Sequence, residues 1–549
     1  MKSIFFRVLA YTATVTSFVA LYSCDKNGSD DPEVPEVEAP SYLAASVPKS
    51  ELEAVALVNG AYSPLQRLSS SYTFLVESAT ETTISFEETD DSKDGPQVSI
   101  FETVPGNWYP IKIFGYLYVS IGAANLAIES IPFSNLSEDS QDLYIARARF
   151  IRGYDYFQLV QLFGEAPLIL SADPASATTV RSSIDNVYKQ IIEDLTEASE
   201  KLPAYDTQKS NPTQLAAKTI LAKAYLTWGQ KPLSQAEVEA IKTSRADPAK
   251  PAVNSEYLQK ALAFADEVIN SGNYRLLDNF NNIWGVSNEN NAEVIFSIRH
   301  EGDGIDAQGN HQTHCGFTFP KNARRDPHLS YADKYYETAL PDNDKRKAYS
   351  YVTSVSYADG TKDTLTWPVS IVRPGKWIHR STNGLQALDA QPNSIDHIDF
   401  RLAEVYLIKA EAAFLLGNTS VALQAINQIR ARADVNALTA LTQEDLYREW
   451  ENEFAQEQKH WLNLVRWRTL ISTVTTKVPQ FEYYKPAYGD LNLFKALPGT
   501  DESRFAFYQR VHKHLRAKAA NINGHFYRFP IPQNLQRLDS GITPQNPGY

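Results

Sequence analysis

Alanine-rich stretches with helical period constrain this chain more than any other feature. Leu215 to Trp228 carries Ala216, Ala217, Ala222 and Ala224. Leu258 to Ile269 aligns Leu258, Ala261, Leu262, Ala265 and Val268 on one face, the recurrence that a buried helical stripe requires. Arg401 to Leu416 and Val421 to Ala433 form a matched pair across Gly417-Asn418. Alanine at a helix crossing lets two backbones approach closely. Helix pairs of this kind cover their apolar faces by stacking on neighbours, so the pattern predicts a rigid helical scaffold with variable insertions.

Other segments extend the scaffold. Glu51 to Tyr62 reads as a helix with Leu52, Val55 and Ala56 on one face and Gly60 near its end. Helical period returns from Trp108 to Ile131, and from Asp139 to Phe163 with Leu143, Ala146, Phe150, Phe157 and Val160 in a stripe. Gly164 and Pro167 supply stop chemistry there. Val187, Ile191, Leu195 and Ala198 mark a further helix. The paired units resemble the tetratricopeptide repeat without its regular proline. The expected fold is therefore mainly α: a degenerate tetratricopeptide-like helical-pair scaffold with loop-rich insertions and short β pieces. Residues 69–107 lose the period and read as an irregular excursion. Residues 230–256 read as a loop insertion. Residues 281–395 read as a loop-rich region with short strands such as Val294 to Ile298 and Tyr349 to Tyr357.

The N-terminus speaks to location. Lys2 and Arg7 precede a short apolar stretch that ends in Leu21-Tyr22-Ser23-Cys24. It is short for a membrane span, which takes about 20 mostly apolar residues, and fits a cleavable signal at 1–23. Its ending resembles the lipobox of bacterial lipoproteins, which implies lipidation of Cys24 and a membrane anchor. Residues 24–41 are acidic and Pro-rich, with Ser29-Asp30-Asp31 resembling an acidic surface-export signal, and read as an extended tether. With Cys24 lipidated, Cys315 has no intrachain partner, so stability rests on burial. Removing Lys2 and Arg7 changes the net charge from −13 to −15. No basic run interleaved with aromatics occurs, which argues against nucleic-acid binding.

Three further segments carry a family resemblance. The first runs Ala146-Arg147-Ala148-Arg149-Phe150-Ile151-Arg152-Gly153-Tyr154-Asp155-Tyr156-Phe157 and on to Leu162-Phe163-Gly164-Glu165-Ala166-Pro167. The second joins Arg401-Leu402-Ala403-Glu404 and Lys409-Ala410-Glu411-Ala412 to Ala425-Ile426-Asn427-Gln428-Ile429-Arg430, then to Glu453-Phe454-Ala455-Gln456-Glu457 and Trp461-Leu462-Asn463-Leu464. The third is Phe529-Pro530-Ile531-Pro532-Gln533-Asn534 with the terminal Gln545-Asn546-Pro547-Gly548-Tyr549. In this order they resemble the RagB/SusD-like family of outer-membrane nutrient-binding lipoproteins. Where that family reads Glu-Gly-x-Arg-Trp-x-Asp-Leu, this chain has Glu457-Gln458-Lys459-His460-Trp461-Leu462-Asn463-Leu464, which puts the local ion pairs in question. The resemblance implies one composite domain over 42–549, with scaffold at 42–68, 108–229, 257–280 and 396–470 and ligand-side regions at 69–107 and 281–395. Arg147, Arg401, Glu404, Glu411 and Arg430 read as structural charges, since buried charge needs pairing.

Chemistry of other classes finds little footing. His311-Gln312-Thr313-His314-Cys315 lacks further ligands at convincing spacing. No Gly-x-Ser-x-Gly elbow, P-loop or dinucleotide fingerprint occurs. Glu87-Glu88 and Asp90-Asp91 are adjacent, not opposed across a cleft as a glycosidase requires. No enzyme and no cofactor is expected; calcium near Asp303 and Asp306 is the one ion left open. The chain supplies 30 Tyr, 25 Phe and 8 Trp, and aromatic faces stack on sugar rings. The resemblance implies capture of oligosaccharide for a TonB-dependent outer-membrane transporter, at the cell surface. A peptide-binding member, a tetratricopeptide-like adaptor without small-ligand binding, and an anchored glycoside hydrolase are the alternatives. Candidate ligand contacts are Tyr72, Phe74, Phe86, Trp284, Arg299, Asn310 and Trp367, with Asn107 and Gln312 as companions. Trp108, Trp377, Trp461 and Trp467 read as core.

Overall fold

The computed structural model describes residues 39–85, 93–176, 180–300, 330–331, 340–352, 354–356, 362–364, 373–376, 395–481, 503–533 and 544–549. It is mainly helical. Helices α1 (Glu51–Ser78), α2 (Asp94–Ser99), α3 (Trp108–Ser130), α4 (Glu138–Phe163), α5 (Ile184–Lys201), α6 (Gln214–Gly229), α7 (Gln235–Ile241) and α8 (Ser255–Asn270) form the first half. The second half holds α9 (Leu402–Leu415), α10 (Thr419–Arg432), α11 (Gln443–Glu453), α12 (His460–Arg466), α13 (Leu470–Lys477) and α14 (Arg504–Asn521).

The stacking expected of alanine-rich pairs is present. α1 packs on α3, α3 on α4, α4 on α5, α5 on α6, α6 on α8, α8 on α9, and α9 on α10. Ala216, Ala217, Ala222, Ala224, Ala261, Ala265, Ala403, Ala410 and Ala412 are all fully buried at these crossings. The array passes directly from α8 to α9, although 131 residues (271–401) separate them. That insertion leaves and returns through a neck: β1 (Val294–Ile298) pairs antiparallel with β2 (His397–Arg401), and every residue of both strands is buried. The remaining strands are two or three residues long.

Most helix ends carry the expected chemistry. Ser50, Ser137, Ser183, Thr213 and Asn254 accept from backbone N–H groups at the starts of α1, α4, α5, α6 and α8, as N-caps do. Gly417 closes α9 at a φ of +80°, and Asn418 caps α10.

Three expectations need correction. The helix read as ending near Gly60 continues to Ser78, so residues 69–78 are not loop. Ser69, Thr73 and Glu77 are buried there rather than solvated. Thr73 Oγ1 donates to the Ser69 carbonyl at 2.9 Å, and Gln458 Nε2 donates to Thr73 Oγ1 at 2.5 Å and to the Ser69 carbonyl at 3.0 Å. Within 230–256, read as loop throughout, Gln235–Ile241 is helical and opens with a Ser234–Glu237 capping box. Beyond residue 470, where the scaffold was expected to stop, α13 and α14 add further helix.

Candidate functional site

Among the described residues, the sequence-derived ligand contacts Tyr72, Phe74 and Trp284 and their companion Asn107 are buried. Tyr72 and Phe74 lie on α1, with 3% and 6% of their surface exposed. The Tyr72 hydroxyl donates to Gln158 Oε1 at 2.6 Å, and Phe74 stacks on Tyr109 with ring centres 5.5 Å apart. Trp284 is 1% exposed. Its indole lies 5.2 Å from Lys376 Nζ and 5.7 Å from the Arg401 guanidinium, so it covers buried cations instead of meeting solvent. Asn107 is buried as the N-cap of α3, accepting from the Tyr109 N–H and donating to the Asp94 carbonyl. Arg299 does reach solvent, with 41% of its side chain exposed, and donates to Gln208 Oε1 at 3.0 Å. Phe86, Asn310, Gln312, Trp367 and Trp377 lie outside the described residues, as do Cys24, Cys315, His311, His314, Asp303 and Asp306.

Trp108, expected in the core, is an aromatic that meets solvent. Trp108 opens α3 with 52% of its surface exposed, whereas Trp461 and Trp467 are buried as expected. The chain enters through Pro105-Gly106 and the Asn107 cap, which sets the first side chain of α3 outward. Lys112 Nζ lies 4.2 Å from the Trp108 ring centre and donates to the Tyr116 hydroxyl at 3.4 Å. Val104, at 46% exposure, precedes this row. Trp108, Lys112 and Tyr116 stand at i, i+4 and i+8, so they share one helix face. The ledge presents an indole, an ammonium and a phenol: one flat face for stacking and two polar heads for hydroxyl groups. Lys112 was the available signal, because a lysine four residues after a tryptophan marks a wet face.

Of the charges expected to be structural, Arg401, Glu404, Glu411 and Arg430 have ion-pair partners, and Arg147 has none among the described residues. Arg401 pairs with Glu293 at 2.9 Å, Glu453 at 2.5 Å and Glu457 at 2.8 Å, all fully buried. Glu453 also receives Arg346 at 3.1 Å and Arg432. Burial alone would raise the Glu453 carboxyl, but these three guanidinium groups hold it well below the usual carboxylate range. Glu404 meets Lys223 at 3.2 Å and Lys459 at 3.4 Å. Glu411 accepts from Arg466 and from the Trp467 indole, and Arg430 pairs with Glu449 at 2.8 Å. Arg147 lies over the Tyr144 ring.

Among the described residues, Glu81, Glu451 and His460 form one group close enough to share a metal ion. A cation of the chain already serves it. Lys477 Nζ sits 3.0 Å from Glu81 and 3.2 Å from Glu451, and His460 pairs with Glu81 at 3.0 Å. These contacts make it an ion-pair cluster.

The described architecture is a helical-pair array with an insertion that leaves and returns through a two-stranded neck. Residues 277–549 match the model described as SusD family, and residues 52–226 match one described as "Starch-binding associating with outer membrane". The chain belongs to the SusD/RagB-like family. A SusD-like protein P2 of Formosa agariphila is 27% identical over 383 residues, covering 64% of this chain and 70% of that one. A SusD-like protein of Bacteroides ovatus is 26% identical over 360 residues, 62% of each chain. Among solved structures, a SusD superfamily protein of Parabacteroides distasonis superposes with a TM-score of 0.67 at 20% identity, covering 91% of this chain and all of that one. A laminarin-binding SusD-like protein superposes at 0.65 with 22% identity, covering 91% and 100%.

The departures from the family pattern have a structural account. Gln458, where the pattern reads Gly, holds a φ of +64°, a backbone region that favours glycine. Its amide anchors it, through the bonds to Thr73 and Ser69 already described. His460, where the pattern reads Arg, keeps a buried ion pair with Glu81; burial lowers its pKa, but the Glu81 charge and hydrogen bond together with Glu451 outweigh that and leave it raised. Asn463, where the pattern reads Asp, accepts from Arg466 Nη2 at 2.8 Å.

Proposed function

We propose that this chain captures oligosaccharide at the outer membrane, held there by lipid on Cys24, and passes it to a TonB-dependent transporter. One observation carries the reading: the segment that matches the starch-binding, outer-membrane description, 52–226, contains the exposed Trp108 ledge. One solved neighbour, a laminarin-binding SusD-like protein, supports the same reading. Stacking of an indole on a pyranose face and hydrogen bonds from Lys112 and Tyr116 require no covalent chemistry. Water competes for the sugar hydroxyls, so the chain acts by raising local ligand concentration. Arg299 offers a second polar contact at the β1 end of the neck.

Native affinity electrophoresis of the chain from Asp25 onward tests this, in gels holding laminarin, starch and other polysaccharides. Retardation by one glycan, lost in Trp108→Ala with the fold intact, is the expected result. No retardation by any glycan would move the reading to peptide cargo or to an adaptor. For the anchor, metabolic labelling with a fatty-acid analogue should mark the wild type and not Cys24→Ala. Affinity purification from envelopes should recover the transporter.

A further inference from the structure

The first and third family segments meet at one place, and a buried cation stands there with no carboxylate ion pair among the described residues. α4 ends at Gly164, whose φ is +74°. A Cβ on Gly164 would lie 2.5 Å from Arg528 Nε, so glycine is needed both for the turn and for the space. The Phe529 N–H donates to the Leu162 carbonyl, Asn546 Nδ2 donates to the Phe163 and Phe529 carbonyls, and the Tyr549 hydroxyl donates to the Arg528 carbonyl. The arginine enclosed by these contacts is 3% exposed.

Arg528 donates to two backbone carbonyls, those of Tyr527 and Leu233. Among the described residues it forms no ion pair with a carboxylate. That sets it apart from Arg401, Arg346, Arg432 and Arg466, each of which has one. Burial first pushes its guanidinium down to about 10, with repulsion from Arg181 and Arg468 adding to it and the charges of Tyr188 and Glu165 opposing it. A buried charge whose hydrogen bonds go only to carbonyls, with no carboxylate in direct contact, is costly.

Beside Arg528 lies a cavity of about 30 Å³. Tyr188, Thr227, Lys231, Arg466, Arg468 and Arg528 contribute to its wall, and among the described residues no carboxylate does. Arg466 and Arg468 are also largely buried. Their acids, Glu411 and Glu237, lie outside the lining, with Glu237 3.5 Å from Arg468. A space of roughly 10–15 Å³ holds a water, so this one has room for a small ion and not for a sugar or a phosphate ester. We propose that the cavity beside Arg528 is a structural binding site for a small inorganic monoanion of the halide class, which neutralises Arg528 and ties α4, α6 and the C-terminal segment together.

Two measurements on the full mature chain test this. In thermal unfolding at fixed ionic strength, replacing gluconate by chloride should raise Tm by about 1 °C per tenfold increase in chloride once the site fills. Arg528→Gln should abolish that dependence. Because this variant can fail to fold, the second measurement uses the wild type: crystals grown in bromide should show an anomalous peak in the cavity beside Arg528. Equal Tm in chloride and gluconate, or a cavity without a bromide peak, would overturn the proposal.

Discussion

Along α3, α4 and α6 the array buries Ile113, Leu117, Ile121, Phe150, Phe157, Leu159, Ile220 and Leu221. Around the neck of the insertion it buries Arg346, Lys376, Arg401, Arg432, Glu293, Glu449, Glu453 and Glu457. Both regions exclude water, by opposite means. The apolar region is held by non-directional burial, which volume largely decides. The ionic region is held by directional pairs, each of which leaves a buried charge exposed to its full desolvation cost when broken. The ionic network also joins distant parts of the chain: Arg401 ends β2, Arg346 belongs to the insertion, and Glu453 ends α11. We attribute to it the register of the insertion on the scaffold. Within the apolar region Arg152 and Lys223 are buried with ion-pair partners, Asp194 and Glu404, whereas Asp155 is fully buried with, among the described residues, no cation beside it and neither carboxylate oxygen hydrogen-bonded. The nearby Ser120 hydroxyl is spent on the Ala61 carbonyl at 2.7 Å.

The largest expected effect breaks the ionic region. Arg401→Ala should cost about 3–5 kcal/mol in urea unfolding, because Glu293, Glu453 and Glu457 keep their charges without it. A loss below about 1 kcal/mol would mean that water reaches the network and the contrast fails. Arg401→Lys keeps the charge but not the forked geometry, and should remain clearly destabilising.

In the apolar region, Leu117→Ala should cost roughly 3 kcal/mol through the cavity it leaves. Leu117→Met should cost under about 1.5 kcal/mol. Tolerance of Leu117→Met beside intolerance of Arg401→Lys is the sharpest form of the comparison.

Asp155 gives a smaller effect with a pH signature. Burial raises its carboxyl well above the usual range, so the folded chain holds a proton that the unfolded chain releases. Its contribution is therefore favourable below the unfolded value, about 3.9, and is lost as pH rises from there toward the folded value. Asp155→Asn should gain about 1–2 kcal/mol at pH 7.5, less than full relief because the amide also pays for burial. It should gain little at pH 4. Equal stability of the two chains at both pH values would show that Asp155 is solvated.

Smallest in stability is Trp108→Ala. An exposed side chain away from the core should change unfolding by no more than about 0.5 kcal/mol, while glycan retardation is lost. A large loss of stability would return Trp108 to the core, where its sequence pattern first placed it.

The sequence by itself determined the helical array, because apolar and alanine period is a local property that each segment carries alone. It also marked Arg401, Glu404, Glu411 and Arg430 as charges in need of partners. Tertiary structure decided the rest, for reasons of range. The Ser-rich run at 69–71 looks like loop until Gln458, 389 residues from Ser69, supplies its hydrogen bond. Trp284 looks like a surface aromatic until Lys376 and Arg401 come to lie against its ring. Trp108 fits a buried stripe, and only the packing of α3 between α1 and α4 shows which side of that stripe faces water. Period fixes that a helix forms, but the partners that cover each face, and so the residues left to meet a ligand, are set by contacts the local sequence does not contain.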